Sequence, residues 1–234
     1  MLKSRNSFIK LTTAIFATTL MMILGALALF TMEVHAAEFS YVDENGETKT
    51  HEATPLTGNE TETLNSGWYV VDKDAENNEI LYNNTLEFNG DVHLILADAC
   101  ELNIGPPTEP ISGCGIITAG SIYIYGQKDS SGCLNINTAD KGVSADGGIC
   151  IYGGTFAVNS LNASGLYSAN GNINILGGRS NIGGKVEGVY SPNGNITLGW
   201  TSKDDYILAS SYMDKDNDGK QETRTIIAAR RLSL

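Results

Sequence analysis

A seven-residue unit, Gly-x-Ile-x-Ile-x-Gly, recurs through the second half of the chain and restricts its fold more than any other feature. Full copies begin at Gly120, Gly147 and Gly171, a shortened copy begins at Gly194, and a degenerate copy begins at Gly90. Successive starts lie 30, 27, 24 and 23 residues apart. A repeat of this length indicates an architecture in which each unit buries its apolar face against its neighbours.

The alternation of isoleucine with other residues indicates short strands with one buried face. A strand of about five residues is not stable alone, but stacked copies share backbone hydrogen bonds and a continuous core. We therefore predict an all-β fold, a right-handed parallel β-helix (solenoid), with glycines that adopt positive φ at the strand ends. A β-sandwich or propeller is the competing architecture. A flexible glycine-rich linker is the other alternative, and the alternating isoleucines argue against it.

Residues 1–36 have the pattern of a secretory signal. A basic start, from Lys3 to Lys10, precedes an uncharged run from Leu11 to Met32, and Ala36 ends a segment with the small residues of a cleavage site. The 22-residue run is also long enough to span a bilayer, so an uncleaved N-terminal anchor is the alternative. In both cases we expect the rest of the chain outside the cytoplasm, secreted or at the cell surface, with membrane attachment only through residues 1–36.

The exported part is predicted to have three regions. Residues 37–88 contain a hairpin with an Asn45-Gly46 turn and a single strand, and are interpreted as an N-terminal β-rich cap. Residues 89–200 hold the β-helix repeats. Residues 201–234 are predicted to form a C-terminal hairpin or cap. Caps are expected because the open end of a solenoid exposes unpaired strand edges.

Charge and cysteines narrow the range of partners and sites. The chain has a net charge of −12, and without residues 1–36, which carry three basic residues and one acidic residue, the charge becomes −14. Such a protein repels nucleic acid, anionic membranes and, without a bridging cation, acidic polysaccharides. The four cysteines allow three disulfide pairings, among which the sequence does not choose, and their spacing contains no zinc motif: Cys100, Cys114, Cys133, Cys150.

The chain resembles a family of secreted bacterial parallel β-helix proteins, which are carbohydrate-binding or adhesin-like surface modules. Besides the Ile-Tyr-Gly and Ile-Leu-Gly-Gly coils, the segments that carry the resemblance are 41–46, 66–71, 90–98 and 198–212. The resemblance implies an extracellular module whose partner is a polysaccharide or a host or cell-surface glycan. Some related β-helices bind calcium and acidic plant polysaccharides. The resemblance implies no catalytic residue.

Two outward columns of side chains are the predicted glycan-binding surface. If the isoleucines point inward, one outer column holds His93, Tyr123, Cys150, Asn174 and Thr197, and the next holds Ile95, Tyr125, Tyr152 and Leu176. Tyrosine rings roughly 4.8 Å apart would form a flat surface on which sugar rings pack. The alternative is that the cap or a loop covers the Tyr125 column. The candidate glycan-binding residues are Tyr123, Tyr125, Tyr152, Tyr167 and Tyr190.

An acidic segment near the C-terminus resembles the first half of a calcium loop. Asp214, Asp216 and Asp218 alternate before Gly219, and Glu222 lies at the ninth position. Thr225 stands at the twelfth position, where a bidentate glutamate is expected. Calcium is therefore a possible ligand of this segment, and a metal-free acidic hairpin loop is the alternative.

The sequence contains no recognisable catalytic constellation. His93 is the only histidine in a strong strand, so no catalytic triad or two-histidine metal site can be assigned. A polysaccharide lyase, the remote alternative, requires a basic residue beside two carboxylates on one coil face. We therefore expect a non-catalytic glycan-binding or adhesive module, with a structural spacer as the second hypothesis.

Overall fold

The computed structural model describes residues 36–72 and 78–212, together with the backbone of 224–229. In this part of the chain every regular element is a β-strand, and the parallel strands stack as a β-solenoid of about six turns. The predicted all-β solenoid is therefore confirmed. Within the same residues there is no helix long and apolar enough to cross a membrane.

The strands are short and follow one another around the coil. In chain order they are β1 (Ala37–Val42), β2 (Thr48–Pro55), β3 (Leu64–Val71), β4 (Glu79–Tyr82), β5 (Leu86–Leu96), β6 (Glu101–Ile104), β7 (Ile116–Thr118), β8 (Ile122–Gly126), β9 (Cys133–Thr138), β10 (Val143–Ala145), β11 (Ile149–Ile151), β12 (Thr155–Ser160), β13 (Leu166–Ser168), β14 (Ile173–Ile175), β15 (Arg179–Gly184), β16 (Val189–Tyr190), β17 (Ile196–Leu198), β18 (Tyr206–Ser211) and β19 (Arg224–Ala229).

Two sheets form the walls of the solenoid. In the first sheet, which has 12 strands, β7, β10, β13 and β16 stack on the first half of β5, while β8, β11, β14 and β17 stack on its second half. The second sheet runs in the order β4, β6, β9, β12, β15, β18, β19, and all its pairs are parallel except the last. Each complete turn after β5 therefore contributes two strands to the first sheet and one to the second.

The core consists of inward columns that cross the strands. Val92, Ile122, Ile149 and Ile173 are register neighbours on consecutive turns, and all four are fully buried. The second sheet faces them with columns that include Phe156 and Ile182. The column of β-branched side chains in the first sheet comes directly from the isoleucines of the repeat, because successive residues of a strand point to opposite faces.

Positive φ explains only some of the glycines of the repeat. Positive φ occurs at Gly154 and Gly178, just after two copies of the unit, with values of 86° and 80°. Gly171, which opens the third full copy, has no positive φ, but a Cβ there would collide with the backbone of Gly148 on the preceding turn. The expectation of positive φ holds at Gly90, which opens the degenerate copy with φ of 118°, but it is wrong for Gly120, Gly147 and Gly171, which open the full copies. Close approach of stacked turns selects glycine at those three positions.

The predicted N-terminal hairpin is present as β1 and β2. Asp43 accepts hydrogen bonds from the backbone N–H groups of Asn45 and Glu47 at 2.9 and 2.8 Å, and Gly46 completes the turn with φ of 78°. β2 then pairs with β3, and β3 and β4 pair in parallel with β5 and β6. Parallel stacking thus begins inside residues 37–88, the segment interpreted as a cap.

The two sheets end differently at the C-terminal side. In the second sheet, β19 pairs antiparallel with β18 and covers its edge. In the first sheet, β16 and β17 are the last described strands of the two stacks. Ile196 of β17 continues the fully buried column of Ile149 and Ile173, yet it is 46% exposed. Within the described part of the chain, the core is therefore partly open to solvent at this end of the first sheet.

Two matched substitutions test this description of the core. Ile149→Ala is expected to lower the free energy of unfolding by about 2–5 kcal/mol, because it leaves a cavity between stacked turns. Ile196→Ala, at the equivalent register position, should lower it by about half as much or less, since that side chain is already half in water. Urea denaturation of both variants measures the difference. Equal losses would contradict the exposed position of Ile196.

Candidate functional site

The first predicted column of outward residues contains a continuous aromatic stack. The rings of His51, Trp68, His93 and Tyr123 follow one another with centroids 4.1, 4.2 and 4.6 Å apart and interplanar angles of 13°, 12° and 9°. Because β3 lies beside β5, Trp68 is the register neighbour of His93. Trp68 and His93 each lie between two rings of the stack. Tyr123 lies at its end, so one face of its ring has no aromatic neighbour in the stack.

The second predicted column is covered at Tyr125, by the N-terminal hairpin and by Trp68 of β3. Tyr125 is only 5% exposed. The rings of Tyr41 and Trp68 lie 4.8 and 5.4 Å from it, and Gln127 Nε2 donates a hydrogen bond to the Ser40 carbonyl at 3.0 Å. An open tyrosine surface is therefore wrong for Tyr125, and the alternative of a covered column is confirmed at this residue.

The other three tyrosine candidates lie in more open positions. Tyr152 is half-buried, stacks on Tyr125 at 5.2 Å, and lines a cleft of about 470 Å³. Tyr167 and Tyr190 are register neighbours with centroids 5.9 Å apart and planes tilted by 45°. Lys141 Nζ lies 5.2 Å from the centre of the Tyr167 ring, a cation–π geometry. Tyr190, at 40% exposed, is the most accessible of the five candidates.

Burial alters the titration of the aromatic stack. It raises the pKa of the Tyr125 phenol, with further contributions from nearby Tyr41 and Glu44. It lowers the pKa of His93, an effect that Asp91 opposes and His51 reinforces. His93 Nδ1 lies 3.0 Å from the Tyr125 hydroxyl. These rings are consequently favoured in their neutral forms near pH 7.

The predicted calcium ligands Asp214, Asp216, Asp218 and Glu222 lie outside the described residues. Among the residues that are described, no group of three or more histidine, cysteine, aspartate or glutamate side chains is placed to hold a metal ion. The calcium assignment therefore stays a prediction.

A groove that the sequence analysis did not identify crosses the outer face of the second sheet. Its volume is about 530 Å³, and five outward asparagines line it together with two glutamates and an apolar border. We call it the amide groove; its principal lining residues are Glu79, Leu81, Glu101, Asn103, Pro106, Pro107, Asn135, Asn137, Ala157, Asn159, Asn181 and Tyr212.

Strand alternation positions these amides. On β9, Leu134 and Ile136 point into the core, so Asn135 and Asn137 point outward. The same alternation on β6 places Asn103 beside Asn135. On β12 it places Asn159 beside Asn137. The result is two short rows of carboxamides that cross the strands.

Hydrogen bonds connect the first row into a ladder with one direction. Asn135 Nδ2 donates to Asn103 Oδ1 at 2.9 Å and to Glu101 Oε1 at 2.6 Å. Asn103 Nδ2 donates to Glu79 Oε1 at 2.7 Å. The two carboxylates fix the orientation of both amides, because a carboxylate accepts only from the NH₂ group.

The second row is oriented in the same manner by backbone acceptors. Asn137 Nδ2 donates to the Pro106 carbonyl at 2.8 Å, and Asn159 Nδ2 donates to Asn137 Oδ1 at 3.0 Å. In both rows, amide N–H groups donate hydrogen bonds within the protein. The groove therefore presents fixed oxygen acceptors beside apolar surface from Leu81 and Ala157.

Comparison with known proteins adds no family or relative: no family model, no curated protein and no solved structure matches the chain. The functional assignment therefore depends on the geometry of the groove and of the tyrosine columns.

The neutral His93 predicts a pH dependence of stability. Because its folded-state pKa lies below the ordinary value of about 6.5, the unfolded chain binds a proton at a higher pH than the folded chain does. The stabilising contribution is present above that pH and is lost as the pH falls towards the folded-state pKa. His93→Phe keeps a stacked ring and removes the titration.

Urea denaturation of wild type and His93→Phe at several pH values checks this expectation. The stability of the wild type should decrease more steeply than that of the variant as the pH falls below about 6.5. A difference between the two proteins that stays constant over this range would contradict the buried, neutral histidine.

Proposed function

We propose that the protein is a non-catalytic extracellular module that binds a glycan in the amide groove, and that this binding serves adhesion to a polysaccharide or a cell-surface glycan. The observation that carries the proposal is the hydrogen-bonded ladder of Asn103 and Asn135, which fixes a row of polar groups in a concave surface. The extracellular location rests on the signal-like residues 1–36.

The chemistry of the groove suits saccharides. Sugar hydroxyls donate and accept hydrogen bonds, and oriented carboxamides and carboxylates match them without the cost of ordering free side chains. The volume of about 530 Å³ lies within the usual size of small-ligand sites. Leu81, Ala157 and the ring of Tyr212 supply apolar surface for the C–H faces of a sugar.

Charge limits the class of glycan. The whole chain carries −12, and the groove contains Glu79 and Glu101. A uronic-acid polymer would meet like charge there unless a cation bridged the two. The proposal therefore favours glycans without acidic groups, which differs from the acidic plant polysaccharides bound by some related β-helices.

A structural spacer is the second candidate, and a specific observation favours it. The hairpin covers Tyr125, so one of the predicted binding tyrosines is already in contact with the protein's own side chains. Under this hypothesis the amide ladder would stabilise the stack and bind nothing.

Calorimetric titration of the purified protein separates the two candidates. Neutral gluco-, manno- and xylo-oligosaccharides and oligogalacturonate, each with calcium and with chelator, are the probes. We expect binding of a neutral oligosaccharide. Asn135→Leu should lower its affinity about tenfold, because the substitution removes the centre of the ladder. Asn174→Leu changes an outward asparagine on the first sheet and should leave binding unchanged.

Absence of binding to every probe by the folded protein would favour the spacer. Equal losses for Asn135→Leu and Asn174→Leu would place the site elsewhere. Analysis of the same mixtures for shortened saccharides tests the lyase alternative, since a binding module returns each probe intact.

A further inference from the structure

We infer that the amide groove selects a cationic amino sugar, with the ammonium group of the ligand held between Glu79 and Glu101. This inference rests on the proposed glycan-binding function and adds the substrate class. Two features of the groove carry it, the position of the two carboxylates and the direction of the amide ladder, together with the change of charge along a column of the second sheet that begins in the groove and ends beside it.

The two carboxylates face the same end of the groove. Glu79 on β4 and Glu101 on β6 are register partners in a parallel pair, about 4.8 Å apart along the sheet. Neither forms an ion pair with a described basic residue. Like charges on neighbouring strands repel, so a cation bound between them would be attracted to both.

The ladder leaves acceptors at this end. Glu79 and Glu101 each use one oxygen, Oε1, to accept from an asparagine, while no described donor bonds to Oε2. The NH₂ group of Asn135 donates two hydrogen bonds, and its Oδ1 can accept a hydrogen bond from a ligand. A protonated amine has three donors and no acceptor, and it therefore complements this set better than a hydroxyl does.

The side chains change from negative to positive along the column that starts at Glu101, and this change would orient a cationic ligand in the groove. Starting at Glu101, successive register neighbours are Cys133, Thr155 and Arg179, so the column changes from negative to positive over three strands. Arg179 lines the neighbouring cleft and not the groove itself, but it lies two residues before Asn181 on β15 and would repel an ammonium group that approached this end of the groove. At that end, Asn181 offers an exposed amide, and Tyr212 offers a ring for uncharged sugar hydroxyls and C–H faces.

The experiment compares three probes that share either the sugar ring or the charge. Oligomers of glucosamine carry ammonium groups, their N-acetylated counterparts have the same rings and linkages without charge, and lysine oligomers carry ammonium groups without sugar. We expect glucosamine oligomers to bind most tightly. Their affinity should fall as the salt concentration rises, while that of the N-acetylated oligomers should not.

Two variants locate the effect at the carboxylates. Glu79→Gln and Glu101→Gln keep an oxygen that accepts from Asn103 or Asn135, but they remove the charge. Each should weaken glucosamine-oligomer binding about threefold to fivefold, the range of partly exposed ion pairs, and leave N-acetylated oligomers unaffected. Glu87→Gln makes the same charge change on the first sheet and should have no effect on either probe.

Several outcomes would overturn the inference. Equal binding of glucosamine and N-acetylated oligomers would reject charge selection and leave the glycan-binding proposal intact. Equal binding of lysine oligomers would reject recognition of the sugar. If Glu87→Gln weakened glucosamine-oligomer binding as much as Glu79→Gln and Glu101→Gln do, the effect would come from the net charge of the protein and not from the groove. Failure of all three probes to bind the folded protein, together with all the neutral probes above, would reject the glycan-binding proposal itself.

Discussion

The structure depends on the in-register stacking of turns. Each strand of the solenoid is too short to be stable alone, and its backbone groups find hydrogen-bond partners only on the preceding and following turns. Register follows from the core, because a shift by one residue would turn Ile122, Ile149 and Ile173 to the outside. Once register is fixed, outward residues also form columns, so the same constraint that builds the core builds the surface ladders.

This constraint acts differently on aromatic rings and on amides. Rings in consecutive turns stack face to face, as His93 does between Trp68 and Tyr123, and the stack uses the ring faces that a sugar would need. Amides in consecutive turns bond through their NH₂ groups, and their oxygens remain for a ligand. A column of tyrosines thus stabilises the stacking of turns more, whereas a column of asparagines leaves more groups free to bind a ligand.

The sequence predicted the first sheet well because glycine and isoleucine mark it in nearly every turn. It predicted the second sheet poorly, since the inward residues at one register position there vary from Leu134 to Phe156 to Ser180. The Asn-Ile-Asn pattern of 135–137 was the available signal for the groove. A cover over the Tyr125 column was one of the alternatives that the sequence allowed, but the covering residues could not be predicted, because the cover depends on the packing of β1, more than eighty residues earlier in the chain.

The ladder of hydrogen bonds also holds the two carboxylates of the amide groove in place. Glu79 and Glu101 lie on neighbouring strands, where repulsion should disfavour them, yet each accepts a hydrogen bond from an asparagine whose orientation it fixes. The amide donors offset part of the repulsion and hold both carboxylates towards the groove. A solenoid that needed only a solvated face could place any polar residue here. An arrangement that fixes two like charges beside oriented amides has a physical advantage when a cation arrives, because the ligand then relieves a repulsion that is already present in the folded chain.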